Sequence, residues 1–417
     1  MHKHNDTMKP LFIFLVCLIL GLIGGQYRDA DALARLVKVP LVSSTIQAAG
    51  SLGQPVVNYY TRVSIGSPPK PFNVQFDIGT NELFVPHYSW NPFNRNLHYS
   101  SGFQCKDSAT CVKNTNVFKI EYQHVKLEGK RYEDVINLDM AHYTPGTELT
   151  SGAAAGASTS TALNVSTTAA AVPSRWRQSF LAIASASDGR FSPLKVDGFF
   201  GLGAASKSMT GIGSILTNLH NANLIDNLQF SFWFNPILDS AHGGMLILGG
   251  VDTNLYTGKI YWHKLPAPQS DRWTLALQTV TLGSQPVGCL TPSRGGCQAK
   301  FSTGLSDIYG PHDDVMKIYS FLNTTKSSTG IQLIDCRRIP SLPYITFNID
   351  GIPYYLLPSN YVRKTVDGTI FKKETCYVAI LPTNDEANTW TLSTPFLGAY
   401  YSIFDMTYGQ IGFAALK

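Results

Sequence analysis

Residues 59–86 read YYTRVSIGSPPKPFNVQFDIGTNELFVP, and this stretch decides the fold class. Tyr59 to Ile65 (YYTRVSI) and Phe72 to Phe76 (FNVQF) alternate apolar and polar residues, the period of a strand with one buried face. Between them Gly66-Ser67-Pro68-Pro69 is a turn by composition. Moving outward, Val117 to Leu138 reads as two strands turning near residues 123 to 129, with Phe118, Ile120 and Tyr122 on one face. LQFSFWF (228–234) and MLILGGV (245–251) add further strands, and GIGSILTNLHNANLI (211–225) is the best helix candidate. Many short strands, few helices and frequent Gly/Pro turns predict a mainly β protein.

Two stretches carry no such pattern. Residues 26 to about 55 show no strong periodicity. The segment from about 144 to 174 contains TSGAAAGASTSTALNVSTTAAAV, nearly free of charge and aromatics. It offers little to pack and reads as a tolerated surface insertion rather than a binding loop.

The chain has 417 residues, 44% of them apolar and 15% charged, a globular composition with room for two or three cores. Its formal charge of +5 is spread out with no long basic run, which gives no support to nucleic-acid binding. Lys3 and Lys9 precede an apolar stretch, Leu11 to Gly25, followed by polar and small residues. Fifteen apolar residues fall short of the roughly 20 that cross a bilayer, so residues 1–25 read as a cleaved signal peptide, with an uncleaved signal anchor as the alternative. The expectation is a secreted protein with no membrane attachment once the signal is gone.

Seven cysteines are present, and removal of Cys17 with the signal leaves Cys105, Cys111, Cys289, Cys297, Cys336 and Cys376. An even number in an exported chain predicts three disulfides, and six cysteines allow 15 pairings. Asn164-Val-Ser and Asn323-Thr-Thr are glycosylation sequons that agree with export. The histidines, His124 among them, read as surface groups, and no His or Cys spacing calls for a metal; neither metal nor cofactor is expected.

Five segments together resemble the pepsin-like aspartic peptidases. Residues 59–86 look like the opening of that family's N-terminal lobe with its first active-site loop. VDGFFGLG (196–203) is similar to the segment packed behind that loop, and GCQAKFSTGLSDIYGP (296–311) to the second active-site loop. IPSLPYITFNIDG (339–351) and WTLSTPFLGAYYSIFDMTYGQIGFA (390–414) resemble the closing part of the C-terminal lobe. The resemblance implies a bilobal acid-protease fold with an inter-lobe cleft and a flap hairpin. It implies a short prosegment-like region at 26–56, an N-terminal lobe over 57–235 and a C-terminal lobe over 236–417. It also implies the local pairings Cys105–Cys111, Cys289–Cys297 and Cys336–Cys376.

In the family, two aspartates share a proton and hold a water; one acts as base while the other protonates the scissile carbonyl. Each lies in an Asp-Thr-Gly turn whose threonines lock the two loops together. Here the first loop is Asp77-Ile78-Gly79-Thr80, and Ile78 has no hydroxyl for that lock. The second is Ser302-Thr303-Gly304-Leu305-Ser306. Cys297 before it and Gly310-Pro311 after it fix the register, so Ser302 holds the aspartate position and Asp307 lies five residues too far along. Tyr122 matches the flap tyrosine, Gln123-His124-Val125-Lys126 replace a glycine-rich tip, Phe84 stands where the family usually has Trp, and Ser393-Thr394 replace a Gly-Asp pair. LVKVPL (36–41) resembles part of a prosegment too short to inhibit in full.

The reading that follows is a secreted, monomeric, non-proteolytic homologue whose cleft, lined by Asp77, Tyr122 and Ser302, takes an extended peptide or protein ligand. Two alternatives stand beside it: a residual peptidase using Asp77 alone, and a recognition role for the outer surface.

Overall fold

The computed structural model describes residues 35–46, 54–90, 102–122, 125–138, 175–187, 196–204, 210–235, 242–266, 272–289, 297–367, 373–384 and 388–417. The signal segment, the 144–174 insertion with Asn164, and Gln123-His124 of the flap tip lie outside them. Residues from Leu36 onward form one compact unit.

The opening stretch folds as its alternation predicts. Strand β1 is Val37–Ile46, β2 is Val56–Ile65 and β3 is Lys70–Asp77. β2 and β3 are antiparallel, Ile65 opposite Lys70, joined by the 66–69 turn. Gly66 has φ +93°, and a Cβ there would meet the Ser108 hydroxyl at 2.8 Å, so both backbone and space demand glycine. Val63, Ile65, Phe72, Val74 and Phe76 are buried.

Next come β4 (Leu83–Pro86), β5 (Val112–Tyr122), β6 (Val125–Leu138), β7 (Arg175–Ala186) and β8 (Gly198–Gly201). β5 and β6 make the flap hairpin, Tyr122 opposite Val125, with Ile120 and Tyr122 on the buried face. β9 (Gln229–Phe234), β10 (Gly244–Leu248) and β11 (Tyr256–Lys264) follow. With strands Tyr401–Asp405 and Gln410–Leu416 they complete a thirteen-stranded sheet, and one five-stranded and two four-stranded sheets, all drawn from residues 274–392, make up the rest. The architecture is the mainly β, bilobal pepsin-like one. The boundary read between 235 and 236 falls between β9 and β10, which are hydrogen-bonded neighbours in one sheet.

Three features differ from expectation. Residues 37–46, read as aperiodic, form β1, and burial alternates over its first half because Val37, Val39 and Leu41 face the core. The longest described helix is His312–Leu322, absent from the sequence reading, while the 211–225 candidate yields Ile215–Asn221. His263, expected at the surface, is 1% exposed, with its Nδ1 2.9 Å from the Asp350 carboxylate and its Nε2 at the Tyr354 hydroxyl. A buried imidazole must have both nitrogens satisfied, and these partners do so.

The three disulfides are Cys105–Cys111, Cys289–Cys297 and Cys336–Cys376, the pairings the resemblance implies. Asn323 is exposed at the left-handed end of the 312–322 helix, and is accessible for a glycan. Among the described residues no helix is long and apolar enough to cross a membrane.

Candidate active site

Asp77 ends β3, beside Gly201 of the parallel strand β8. The VDGFFGLG segment backs the first loop: Leu202 N–H donates to the Asp77 carbonyl at 2.9 Å and Gly203 N–H to the Thr80 carbonyl at 2.7 Å. The second loop leaves a strand, Cys297–Phe301, that is parallel to Thr389–Leu392, and Ser302 N–H donates to the Leu392 carbonyl. The two loops meet with Asp77 2% and Ser302 5% exposed.

Each loop closes its own turn in the same way. Gly79 N–H donates to Asp77 Oδ1 at 2.8 Å, and Gly304 N–H donates to Ser302 Oγ at 3.2 Å. A short side chain accepting the amide two residues on is the local chemistry that Asp and Ser both provide. Ser302 therefore keeps the turn that an aspartate would make there. Gly304 is needed for the approach of the loops, since a Cβ there would sit 2.7 Å from the Asp77 carboxylate.

The brace between loops is one-sided. Thr303 Oγ1 donates to the Phe76 carbonyl at 2.7 Å and accepts Ile78 N–H at 3.2 Å. Gln75 Nε2 adds a bond of 3.1 Å to the Thr303 carbonyl. Ile78 cannot return the contact. Its side chain is 1% exposed and packs in the main core instead, so apolar burial replaces the missing hydroxyl.

The carboxylate of Asp77 has three neighbours. Besides Gly79, Tyr122 OH donates to Oδ2 at 2.6 Å and Ser302 Oγ donates to Oδ1 at 3.4 Å. No other carboxylate is hydrogen-bonded to it among the described residues. Burial, then the Asp77 charge and hydrogen bond, push the Tyr122 phenol well above its ordinary value, so it stays a donor. Asp307, the one nearby acid in the second loop, turns away. It is 2% exposed, accepts from Gln54 Nε2 at 3.3 Å, and faces Arg363 Nε at 3.7 Å.

Tyr122 is seated by aromatic contacts that the sequence does not disclose. Its ring lies 5.3 Å from Phe84 and 4.9 Å from Phe199, both edge-on or tilted. Phe84 carries no ring N–H, so it donates no hydrogen bond to the tyrosine oxygen, whose own proton goes to Asp77. Beside this cluster Phe84, Trp90, Leu127, Ile183, Val196 and Phe199 line an apolar cavity of about 30 Å³, space on the order of one or two waters. Trp90 Nε1, buried, has no hydrogen-bond partner among the described residues. Thr80 is half-buried, its hydroxyl accepting Glu82 N–H at 3.1 Å. Ser393 Oγ donates to the Asp307 carbonyl at 2.7 Å and Thr394 Oγ1 reaches the Ser306 carbonyl at 3.3 Å, so the pair that departs from the family pattern supports the second loop from behind. Among the described residues no group of three His, Cys, Asp or Glu side chains could hold a metal ion.

One consequence is local. Tyr122→Phe is expected to lower stability by about 1.5–3 kcal/mol, the usual worth of a hydrogen bond to a charged group. Thermal unfolding of the purified variant checks this. A change under about 0.5 kcal/mol would mean that the hydroxyl does not hold Asp77 in solution.

The fold and the paired loops define an acid-protease scaffold. Residues 58–168 and 175–416 match the eukaryotic aspartyl protease family, and the chain belongs to that family. Its relatives include cathepsin D of Rattus norvegicus, 27% identical over 94% of this chain and 89% of that protein. Cathepsin E-B of Xenopus laevis is 28% identical over 86% of this chain and 79% of its own length, and gastricsin of Suncus murinus 29% identical over 86% and 81%.

Proposed function

We propose that this chain is a secreted, monomeric, non-proteolytic member of the family that takes an extended peptide or protein ligand between its lobes. The observation that carries the reading is the company Asp77 keeps: two hydroxyls and an amide, with a serine where the second acid would stand. Peptide hydrolysis in this fold needs one carboxyl group to take a proton from water while the other gives one to the carbonyl. A serine hydroxyl titrates far above any working pH and cannot alternate between those roles. Loss of one acid–base partner costs about 10²- to 10⁴-fold in rate. Tyr122 further engages the other carboxylate oxygen, Oδ2, while Ser302 faces Oδ1.

Ligand binding on this reading requires the flap to lift. A ligand must displace Tyr122 and offer Asp77 a donor in exchange, while its apolar groups fill the space beside Phe84 and Phe199. A statine-containing peptide of the pepstatin type supplies both features, and calorimetry with it is the test. Saturable binding that weakens on Asp77→Asn supports cleft recognition. No binding to the wild type, or equal binding to both, sinks it. The export half of the reading rests on the signal-like N-terminus and the disulfides, and is checked by recovering the protein from the medium of expressing cells.

A further inference from the structure

Strand β1 lies in the interior of the thirteen-stranded sheet, between β10 and β2. Val37 to Leu41 pair with Leu248 to Gly244 of β10, and Val42 to Ile46 pair with Tyr60 to Val56 of β2. Among the described strands β1 alone joins those two neighbours. Its inward side chains Val37, Val39 and Leu41 are 6%, 1% and 2% exposed. Lys38 Nζ lies 2.6 Å from the Asp252 carboxylate, and Gly243 N–H donates to the Leu41 carbonyl. Although burial pushes the Asp252 carboxyl up, Lys38 and Asn254 together hold it below its ordinary value.

We infer that residues 36–46 are a permanent strand of the mature protein, retained after export rather than released as a prosegment would be. The inference goes beyond the proposed function and does not depend on whether the cleft binds a ligand. Its argument is one of chain length. A cut anywhere in 47–53 leaves at most nine residues, 47–55, ahead of Val56. Two of these are tied elsewhere: Gln54 Nε2 donates to Asp307 at 3.3 Å and the Pro55 carbonyl accepts from Tyr377 OH at 3.2 Å. The seven that remain cannot replace a ten-residue strand that spans from β2 to β10. Loss of β1 would strand the inward backbone groups of β10 and the first half of β2 without partners, and leave Asp252 without its cation. Unpaired buried backbone groups are rare in folded proteins because each costs the full desolvation of a polar group. No activation by release of this segment follows: the chain folds directly into its working state.

Two measurements test it. The intact mass and N-terminal sequence of protein secreted by eukaryotic cells should place the start upstream of Leu36. In the full chain, residues 47–53 are then exchanged for a seven-residue site of a specific protease, and the purified protein is cut. The expected result is that the fragment ending at the cut co-elutes with the body on native size exclusion and leaves only when the body unfolds. A secreted form that starts after Ile46, or a body that sheds the fragment and keeps its unfolding midpoint, overturns the inference. Should the exchanged chain fail to fold, the N-terminal sequence of the wild type still decides.

Discussion

Arg363→Ala should lower stability by about 3–5 kcal/mol, the cost of stranding a buried charge by removing its partner. Arg363 and Asp307 side chains are 8% and 3% exposed, and Arg363 Nη2 also donates to the Ser306 carbonyl. Arg363 Nε faces Asp307 Oδ1 at 3.7 Å as a charge, not a hydrogen-bond donor, so alanine would remove that charge and leave Asp307 with its bonds from Gln54 and Ser306. The double variant Asp307→Leu/Arg363→Met should recover most of the loss, since a buried pair replaced by apolar groups of similar volume is often neutral or better. Denaturant unfolding of Asp307→Leu, Arg363→Met and the double closes the cycle, and additive losses would show that the pair does not interact.

The same pair sets a pH signature. Burial pushes the Asp307 carboxyl above its usual value, outweighing the lowering by Arg363, Gln54 and Ser306. A carboxyl raised on folding contributes stability that is complete below its unfolded value, about 3.9, and is lost as pH rises through its folded value. The stability of the wild type relative to Asp307→Asn should therefore improve between pH 7 and pH 4. A relative decline on acidification would show that Arg363 wins over burial.

Ser302→Asp carries the other large effect. The Ser302 hydroxyl is 3.4 Å from Asp77 Oδ1, so a carboxyl at 302 would face Asp77 directly. Two carboxyls at that range cannot both ionise, and one is raised strongly. By the same sign rule the variant should match the wild type near pH 4 and lose about 1.4 kcal/mol at neutral pH for each unit of rise. A proton-sharing pair would also exist for the first time. Turnover of an unfolded polypeptide is expected at acid pH, about 10²- to 10⁴-fold above the wild-type background. It should rise further with Ile78→Thr, which returns the missing hydroxyl to the brace. A stability difference between Ser302→Asp and the wild type that stays constant from pH 4 to 7 would mean that residue 302 does not face Asp77.

Much of this was legible in the chain. The alternation of 59–65 and 72–76 around a Gly-Pro turn yielded β2 and β3, and motif register placed Ser302 opposite Asp77. The contacts that close the site were not legible. Tyr122 reaches Asp77 across 45 residues, and nothing local to the flap says where its hydroxyl points. Arg363 lies 56 residues from Asp307, and single charges at that separation carry no pattern. β1 was obscured because its resemblance to a prosegment masked the alternation of Val37, Val39 and Leu41. The 312–322 helix did leave a signal: Val315, Ile318, Tyr319 and Leu322 are buried at helical spacing, behind Asp313 and Asp314 in the first turn.

The decisive measurement compares wild type and Asp77→Asn, purified in parallel, on an unfolded polypeptide from pH 2 to 7, with products read by mass spectrometry. A lone carboxylate held by a tyrosine and a serine should give no cleavage above buffer at any pH, so the two proteins should be indistinguishable. Cleavage by the wild type that vanishes in Asp77→Asn would contradict the account, because Asp77 would then be driving hydrolysis although no second carboxyl is hydrogen-bonded to it among the described residues.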